Sequence, residues 1–214
     1  IAELTAELAD LETDLAARAG RISALRRAAA GELAGAVQIE LAALAMPRAR
    51  LAFEVSGLPE LGPHGGDQVT LLFSANPGSE PAPLAKVASG GELSRVRLAL
   101  EVVLAGATRG QTFVFDEVDA GVGGAVALEI GRRLARLAEH SQVIVVTHLA
   151  QVAAFADRHY MVSKADDGQV TTSGVRLVTA DDRLDVLATM MGGLESSESA
   201  LAHARELLEV RGAG

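Results

Sequence analysis

Three short motifs contain residue types that could bind phosphate, hold a metal ion and activate water. The first, Ser89-Gly90-Gly91-Glu92, comes just before a predicted helix. Backbone N–H groups and the dipole at a helix N-terminus attract anions, and consecutive glycines let a phosphate approach the backbone closely. The same S-x-x-E spacing also forms a capping box, which only starts a helix. On this motif alone, a phosphate site and a plain helix cap are equally good interpretations.

The second motif is a pair of acids, Asp116 and Glu117, directly after the apolar run Thr112 to Phe115. Such a run is typical of a buried parallel strand, and ligands bind at the carboxyl ends of parallel strands. There Asp116 could hold Mg²⁺ through water, and Glu117 could orient or deprotonate an attacking water. Solvated acids also end many strands, so the pair is a weak signal when read alone.

The third motif is Thr147-His148, which follows a second apolar run, Val143 to Val146. If the two predicted strands are neighbours, His148 emerges at the same sheet edge as Glu117. Its imidazole could then hydrogen-bond a terminal phosphate or the attacking water. A single histidine is more often structural, so this motif also gains its meaning from the other two.

Helices and strands that alternate along the chain would position these motifs. Short apolar strands separated by helices predict a parallel sheet with crossover helices. The turn signal Asp166-Asp167-Gly168 predicts that the next strand folds back as a hairpin. The predicted helices are Glu92–Leu104, Ala125–Glu139, Leu149–Ala156, Asp181–Met191 and Ser197–Val210, and the later strands are His159–Ser163 and Gln169–Val178.

The N-terminal segment has apolar residues at heptad spacing, which predicts a coiled-coil helix over residues 1–46 that ends at Met46-Pro47. An amphipathic helix packed on its own domain is the alternative. Strands at Leu51–Val55 and Val69–Phe73 should follow, with a Gly/Pro-rich loop over 56–67 between them. The heptad positions are Ile1, Leu8, Leu15, Ile22 and Ala29 on one line and Leu4, Leu11 and Leu25 on the other, with Arg18 as the interruption.

Composition excludes several classes of protein. There is no Cys, so disulfides and thiolate metal sites are ruled out. Aromatic residues make up only 3% of the chain, which argues against a base-stacking platform. The net charge of −9 argues against a strong DNA-binding surface on this chain alone. No apolar run approaches the roughly 20 residues of a membrane span, so we expect no membrane partner and a cytoplasmic location.

The order of the three motifs resembles that of ABC ATPases, with a signature motif, a Walker B motif and a switch histidine. No G-x-x-x-x-G-K-[ST] phosphate loop occurs in the sequence. Such heads carry that loop in an N-terminal lobe. The resemblance therefore implies an α/β fold of the P-loop NTPase type, with residues 47–214 as the C-terminal lobe of an ABC/SMC-like head. Its implied cofactors are ATP and Mg²⁺.

A closer resemblance is to the bacterial RecN repair protein family. It is carried by Lys86 to Arg95, by Phe115 to Ala125 and by Val146 to Ala154. It implies an ATPase in DNA double-strand-break repair by recombination, whose heads dimerise around ATP. The partners would be a Walker A lobe of the same head, a second head, and DNA bound by the full-length protein in the nucleoid.

The resemblance also implies roles for individual residues. Ser89, Gly90, Gly91 and Glu92 would act in trans on ATP held by the opposite head. Lys86 and Arg95 could touch phosphate or form ordinary salt bridges. Many SMC heads have a Leu-Asp pair where this sequence has Val122-Gly123, which leaves a cross-dimer role to Asp119 or to the backbone. The alternatives are an ABC transporter subunit, which usually lacks a heptad arm, and a coiled-coil pairing module with a decayed site.

Overall fold

The computed structural model describes residues 1–87, 89–105, 110–166, 171–192 and 197–212. The chain divides into two compact units, Ile1–Ser89 and Gly90–Gly214. The division into an arm over 1–46 and a lobe over 47–214 stays a prediction.

The first unit begins with one long helix, α1, which runs from Ala2 to Ala43. It confirms the helix expected from the heptad pattern and ends shortly before the predicted stop at Met46-Pro47. Strands β1 and β2 then pair antiparallel, and the short strand β3 pairs with β2 ahead of a short helix, α2. These four elements are Arg50–Gly62, Gly65–Ser74, Ala82–Pro83 and Leu84–Val87.

The β1–β2 hairpin extends into the stretch 56–67, for which the sequence predicted a loop. The strands remain paired to Gly57↔Asp67 and, after a register irregularity, pair again at Gly62↔Gly65. The loop prediction is therefore wrong for most of this stretch. Pairing between the strands outweighs the local turn preference of the glycines and prolines on which the prediction was based.

Helix α1 is attached to this hairpin through the buried carboxylate of Asp67. Ser23 Oγ donates to this carboxylate, 2.7 Å from Oδ2, and Arg26 Nη1 donates to the same oxygen at 3.2 Å. The Ser23 hydrogen bond, with the charges of Arg26 and Arg27, holds the pKa of Asp67 below its ordinary value, although burial acts in the opposite direction. The middle of the long helix and the hairpin are thus joined by a polar contact.

The apolar heptad face ahead of this contact is exposed. Leu4, Leu8, Leu11 and Leu15 are 70%, 56%, 59% and 54% exposed. An exposed apolar stripe at this spacing is the surface that a second coiled-coil helix would cover. The coiled coil itself stays a prediction.

The second unit alternates helices and strands as the sequence predicted. Strands β4 and β5 are parallel neighbours, and helix α4 crosses over between them. Strands β6 and β7 pair antiparallel, which confirms the hairpin, although residues 167–170 of its turn lie outside the described residues. In chain order the elements are α3 Gly90–Leu104, β4 Thr112–Phe115, α4 Gly124–Ala138, β5 Gln142–Val145, α5 Ala150–Ala153, β6 Tyr160–Asp166, β7 Thr171–Leu177, α6 Arg183–Gly192 and α7 Glu198–Gly212.

The core of the second unit includes the buried face of α4 and a cluster of residues around α5. Helix α4 buries Ile130, Leu134 and Leu137, residues three or four positions apart that share one helix face. Small and apolar residues of α5, α6 and α7 form a second cluster that holds α5 in place. Of the described helices, none is both long and apolar enough to cross a membrane.

Candidate nucleotide-binding and hydrolysis site

The start of α3 packs against the segment that follows β4. Ser94 Oγ donates to the carbonyl oxygen of Asp116 at 2.7 Å, and Arg95 Nη1 donates to that of Ala120 at 2.9 Å. Gly90 is exposed at the first turn of the helix, and Ser89, the last residue of the first unit, is exposed as well. From Gly90 onward, the signature motif and the Walker B motif therefore share one surface of the second unit.

The two glycines of the signature motif allow this close approach. A Cβ atom at Gly91 would lie 2.9 Å from the Cβ of Ala120 and 3.3 Å from the carbonyl oxygen of Glu117. At Gly90 it would lie 2.6 Å from Oε2 of Glu117. Packing is thus a second reason for the paired glycines, and no local sequence signal points to it because the partner residues are distant in the chain.

Glu117 has an unusual backbone. Its φ of 57° places it in the left-handed region, which is costly for a residue with a Cβ atom. The turn that follows is closed by the Ala120 N–H, which donates to the Glu117 carbonyl at 3.1 Å. Backbone strain of this kind is concentrated at functional sites, where the surrounding structure holds it in place. Both Asp116 and Glu117 are exposed.

His148 lies at the same edge of the sheet. The register pairs Phe115 with Val145, and the Val146 N–H donates to the Phe115 carbonyl at 3.0 Å just beyond the last pair. Glu117 and His148 thus follow the ends of neighbouring parallel strands, as the motif order predicted. The His148 side chain is 74% exposed. The catalytic roles of both residues stay predictions.

Asp119 is directed into the protein. Its side chain is 3% exposed; it accepts a short hydrogen bond from Thr147 Oγ1, and its Oδ2 lies 3.5 Å from Nδ1 of His148. The Leu149 N–H donates to Thr147 Oγ1 at 3.0 Å. In the sequence, Thr147 stands out only as the neighbour of His148, and no local pattern links it to Asp119.

Arg95, one of the two basic residues that flank the signature motif, also points inward. It is 9% exposed, and burial lowers its pKa while the charge of Glu92 acts the other way. With Nη1 bound to the Ala120 carbonyl, Arg95 fixes the turn after Glu117. The structure therefore favours a structural role for Arg95 over contact with phosphate.

Asp116, the predicted Mg²⁺ ligand, has an exposed side chain, and its metal role stays a prediction. At nucleotide sites the ion is held by one or two carboxylates, by water and by phosphate oxygens, so a single exposed carboxylate fits. Within the described ranges, no group of three His, Cys, Asp or Glu side chains could hold a metal ion by itself. A Mg²⁺ ion at Asp116 would therefore depend on nucleotide oxygens and water for its other ligands.

The fold is similar to that of part of an Smc head domain. The Smc head domain with a coiled coil and joint from Pyrococcus yayanosii is similar with a TM-score of 0.54 and 21% identity, over 76% of this chain and 29% of that chain. The Smc head domain with an extended coiled coil from Pyrococcus furiosus, bound to the C-terminal domain of ScpA, gives 0.52 and 20%, over 78% and 39%. Likeness at this level of identity concerns the fold alone.

Sequence similarity gives the family. The DNA repair protein RecN of Streptomyces coelicolor is 52% identical over an alignment of 217 positions, which covers 96% of this chain and 38% of that protein. RecN of Mycobacterium tuberculosis H37Rv is 49% identical over an alignment of 229 positions, which covers 98% of this chain and 39% of that protein. RecN of Deinococcus radiodurans is 48% identical over 205 residues, or 96% and 36%. No protein-family model matches the chain. The chain belongs to the RecN family, and it spans less than two fifths of the length of these relatives.

Proposed function

We propose that this chain is the C-terminal lobe of an SMC-like ATPase head that acts in DNA double-strand-break repair by recombination. ATP binding brings two heads together, and hydrolysis releases them. The observation that carries the proposal is the packing of the α3 start against residues 116–120, with His148 at the end of the neighbouring strand. The name of the relatives, DNA repair protein, favours this function over that of an ABC transporter subunit. A pairing module with a decayed site would have no need to retain Asp116, Glu117 and His148.

Each motif has a role in this proposal. Residues 89–92 contact the γ-phosphate of ATP held by the opposite head, where the helix dipole and backbone N–H groups favour an anion. Asp116 binds Mg²⁺ through water, and the ion, when bound, neutralises charge on the phosphates. Glu117 orients or deprotonates the attacking water, and His148 hydrogen-bonds the water or the terminal phosphate. Each of these side chains needs solvent access, and Asp116, Glu117 and His148 are exposed.

An exposed sheet face supports the proposed partnership with a Walker A lobe. Val114 in β4, Ile144 in β5 and Val146 directly after β5 are 52%, 46% and 59% exposed. Parallel sheets are normally covered on both faces by other elements. A lobe packed on this apolar face would supply the missing cover and bring the missing phosphate loop to the site.

The 214-residue chain alone should then bind ATP weakly and hydrolyse little of it, because the Lys-bearing loop that cradles the β- and γ-phosphates is missing. Titration calorimetry that shows tight, Mg²⁺-dependent binding would contradict this.

With a net charge of −9, the chain should also fail to shift DNA in a gel at physiological salt. In the cell, we propose that the complete protein is cytoplasmic and associated with the nucleoid.

The decisive experiment uses a head completed with its Walker A lobe and measures ATP hydrolysis with and without DNA. Glu117→Gln should preserve ATP binding and lower the rate by about a hundredfold to ten-thousandfold, because it removes the general base. Glu139→Gln makes the same chemical change at an exposed helix end and should leave the rate unchanged. A Glu117→Gln head that hydrolyses ATP at the normal rate would refute the assignment of this site.

A mixture of two inactive heads tests the action in trans. Ser89→Arg should bind ATP but fail to close on the γ-phosphate of the opposite head. Mixed with Glu117→Gln, it forms dimers in which one composite site carries both defects and the other carries neither. Hydrolysis should therefore return on mixing, provided that one intact site suffices. If unmodified heads mixed with Glu117→Gln heads show that one intact site suffices, no recovery would argue that the signature motif acts within its own head.

A further inference from the structure

Asp119 is a buried carboxylate to which the proposed hydrolysis assigns no chemical step. Burial of a charged group is costly unless it is paired, and the carboxylate has two partners at the sheet edge. These are the hydroxyl of Thr147 and Nδ1 of His148. Both follow β5, whereas Asp119 follows β4, so the contact joins the ends of the two parallel strands.

The hydrogen bond between Thr147 and Asp119 has a defined direction. Because Thr147 Oγ1 accepts the Leu149 N–H, its own proton is free to point at Asp119. Asp119 Oδ2 is then held 3.5 Å from Nδ1 of an imidazole that is otherwise largely exposed. Hydrogen bonds of this kind are often long without substrate and shorten in the reacting complex.

We propose that Asp119 is a positioning residue that fixes the orientation and the tautomer of His148. A carboxylate beside Nδ1 favours the proton on that nitrogen, which leaves the Nε2 lone pair to accept a hydrogen bond from the attacking water. This proposal rests on the proposed function, in which His148 faces the reaction. It also leaves any cross-dimer contact of this turn to the backbone, because the Asp119 side chain is engaged within its own chain.

The tautomer can be observed directly, without measuring hydrolysis. Long-range ¹H–¹⁵N correlation spectra of the 214-residue chain at about pH 8.5, above the ordinary histidine pKa, report which ring nitrogen carries the proton. We expect His148 to be protonated at Nδ1 in the unmodified chain and to lose this preference in Asp119→Asn, because a neutral amide is a weaker acceptor. A His148 protonated at Nε2 in the unmodified chain would overturn the proposal before any variant is made.

Two further variants separate positioning from a general loss of structure. Thr147→Ser keeps the hydroxyl and should retain the Nδ1 tautomer, whereas Thr147→Val should weaken it. Glu206→Gln is the matched control, because Glu206 Oε2 lies 3.2 Å from Nδ1 of a different, exposed histidine, His203. This substitution should leave the His148 signals unchanged. If Asp119→Asn folds and His148 keeps its tautomer, the proposal is wrong.

Hydrolysis by the completed head distinguishes this proposal from the proposed function. Partners that orient metal-bound histidines typically contribute about 10- to 100-fold, and by analogy Asp119→Asn should lower kcat by a similar factor with little change in KM for ATP. If Glu117→Gln also abolishes hydrolysis, both proposals are supported. If Glu117→Gln is impaired but Asp119→Asn retains full kcat, the positioning role alone is refuted. If Glu117→Gln hydrolyses ATP normally, the proposed function fails, whatever tautomer His148 has.

Discussion

Alanine substitutions at the two signature glycines should have different effects, although the residues are adjacent. At Gly91 the added Cβ would lie 2.9 Å from the Ala120 Cβ and 3.3 and 3.4 Å from two carbonyl oxygens. Two of these three neighbours are backbone atoms, which cannot rotate away. Overpacking of this kind costs about 1–3 kcal/mol, while alanine recovers at most about 1 kcal/mol of helix propensity. We therefore expect Gly91→Ala to lower the free energy of unfolding by about 1–2 kcal/mol.

Gly90→Ala is the matched control for stability. Its Cβ would lie 2.6 Å from Glu117 Oε2, the far end of a flexible and exposed side chain that can turn aside. The free energy of unfolding should then change by no more than about 0.5 kcal/mol. In the completed head, however, Gly90→Ala should impair hydrolysis, because it displaces the proposed general base.

Urea denaturation followed by tyrosine fluorescence measures this difference. The chain has one Tyr and no Trp, and that residue, Tyr160, lies in β6 of the second unit. Gly91→Ala should unfold at a lower urea concentration than the unmodified chain, and Gly90→Ala at nearly the same one. Equal midpoints for all three proteins, or a larger loss for Gly90→Ala, would refute the argument from contact distances.

Three further predictions concern stability. The pKa of Asp67 is depressed in the folded chain. The ionised carboxylate therefore stabilises the fold above the ordinary aspartate pKa of about 3.9, and this contribution is lost as the pH falls through the folded value. Asp67→Asn should flatten this acid dependence of unfolding, measured by circular dichroism. Burial, and then the charge of Arg183, lower the pKa of His159, so the second unit should lose stability as the pH falls below about 6.5, and His159→Gln should remove that part of the pH dependence of Tm. Arg183 Nη2 donates to carbonyls at the end of α5, so Arg183→Gln should lower the free energy of unfolding, measured by urea denaturation, by about 1–3 kcal/mol. Arg176→Gln, at an exposed ion pair, should change it by no more than about 0.5 kcal/mol.

Local sequence patterns predicted the second unit well. The predicted strand Thr112–Phe115 has the observed bounds, and α4 differs from its prediction by one residue at each end. These elements are short and strongly patterned, so hydrophobic periodicity defines them without knowledge of their neighbours. The stretch 56–67 shows the limit of that approach, because its strands exist through pairing with each other.

The site was predictable in part for the same reason. Motif order was enough to predict that Glu117 and His148 would share a sheet edge, since the ends of parallel strands meet there. The inward direction of Asp119 was not predictable, because it follows from a turn in which Glu117 has a positive φ. Nor does any local signal reveal that the signature glycines pack against residues 117–120.

The contact between Gly91 and Ala120 limits how the two motifs can diverge among relatives. The nearest neighbour of a Cβ atom at position 91 would be the methyl group of Ala120, so the sizes of the residues at the two positions are linked. A relative with alanine at position 91 should have glycine at position 120 or a displaced turn. Substitutions at these positions should therefore occur in pairs, and an alignment of RecN sequences should show covariation between two motifs that are usually considered separately.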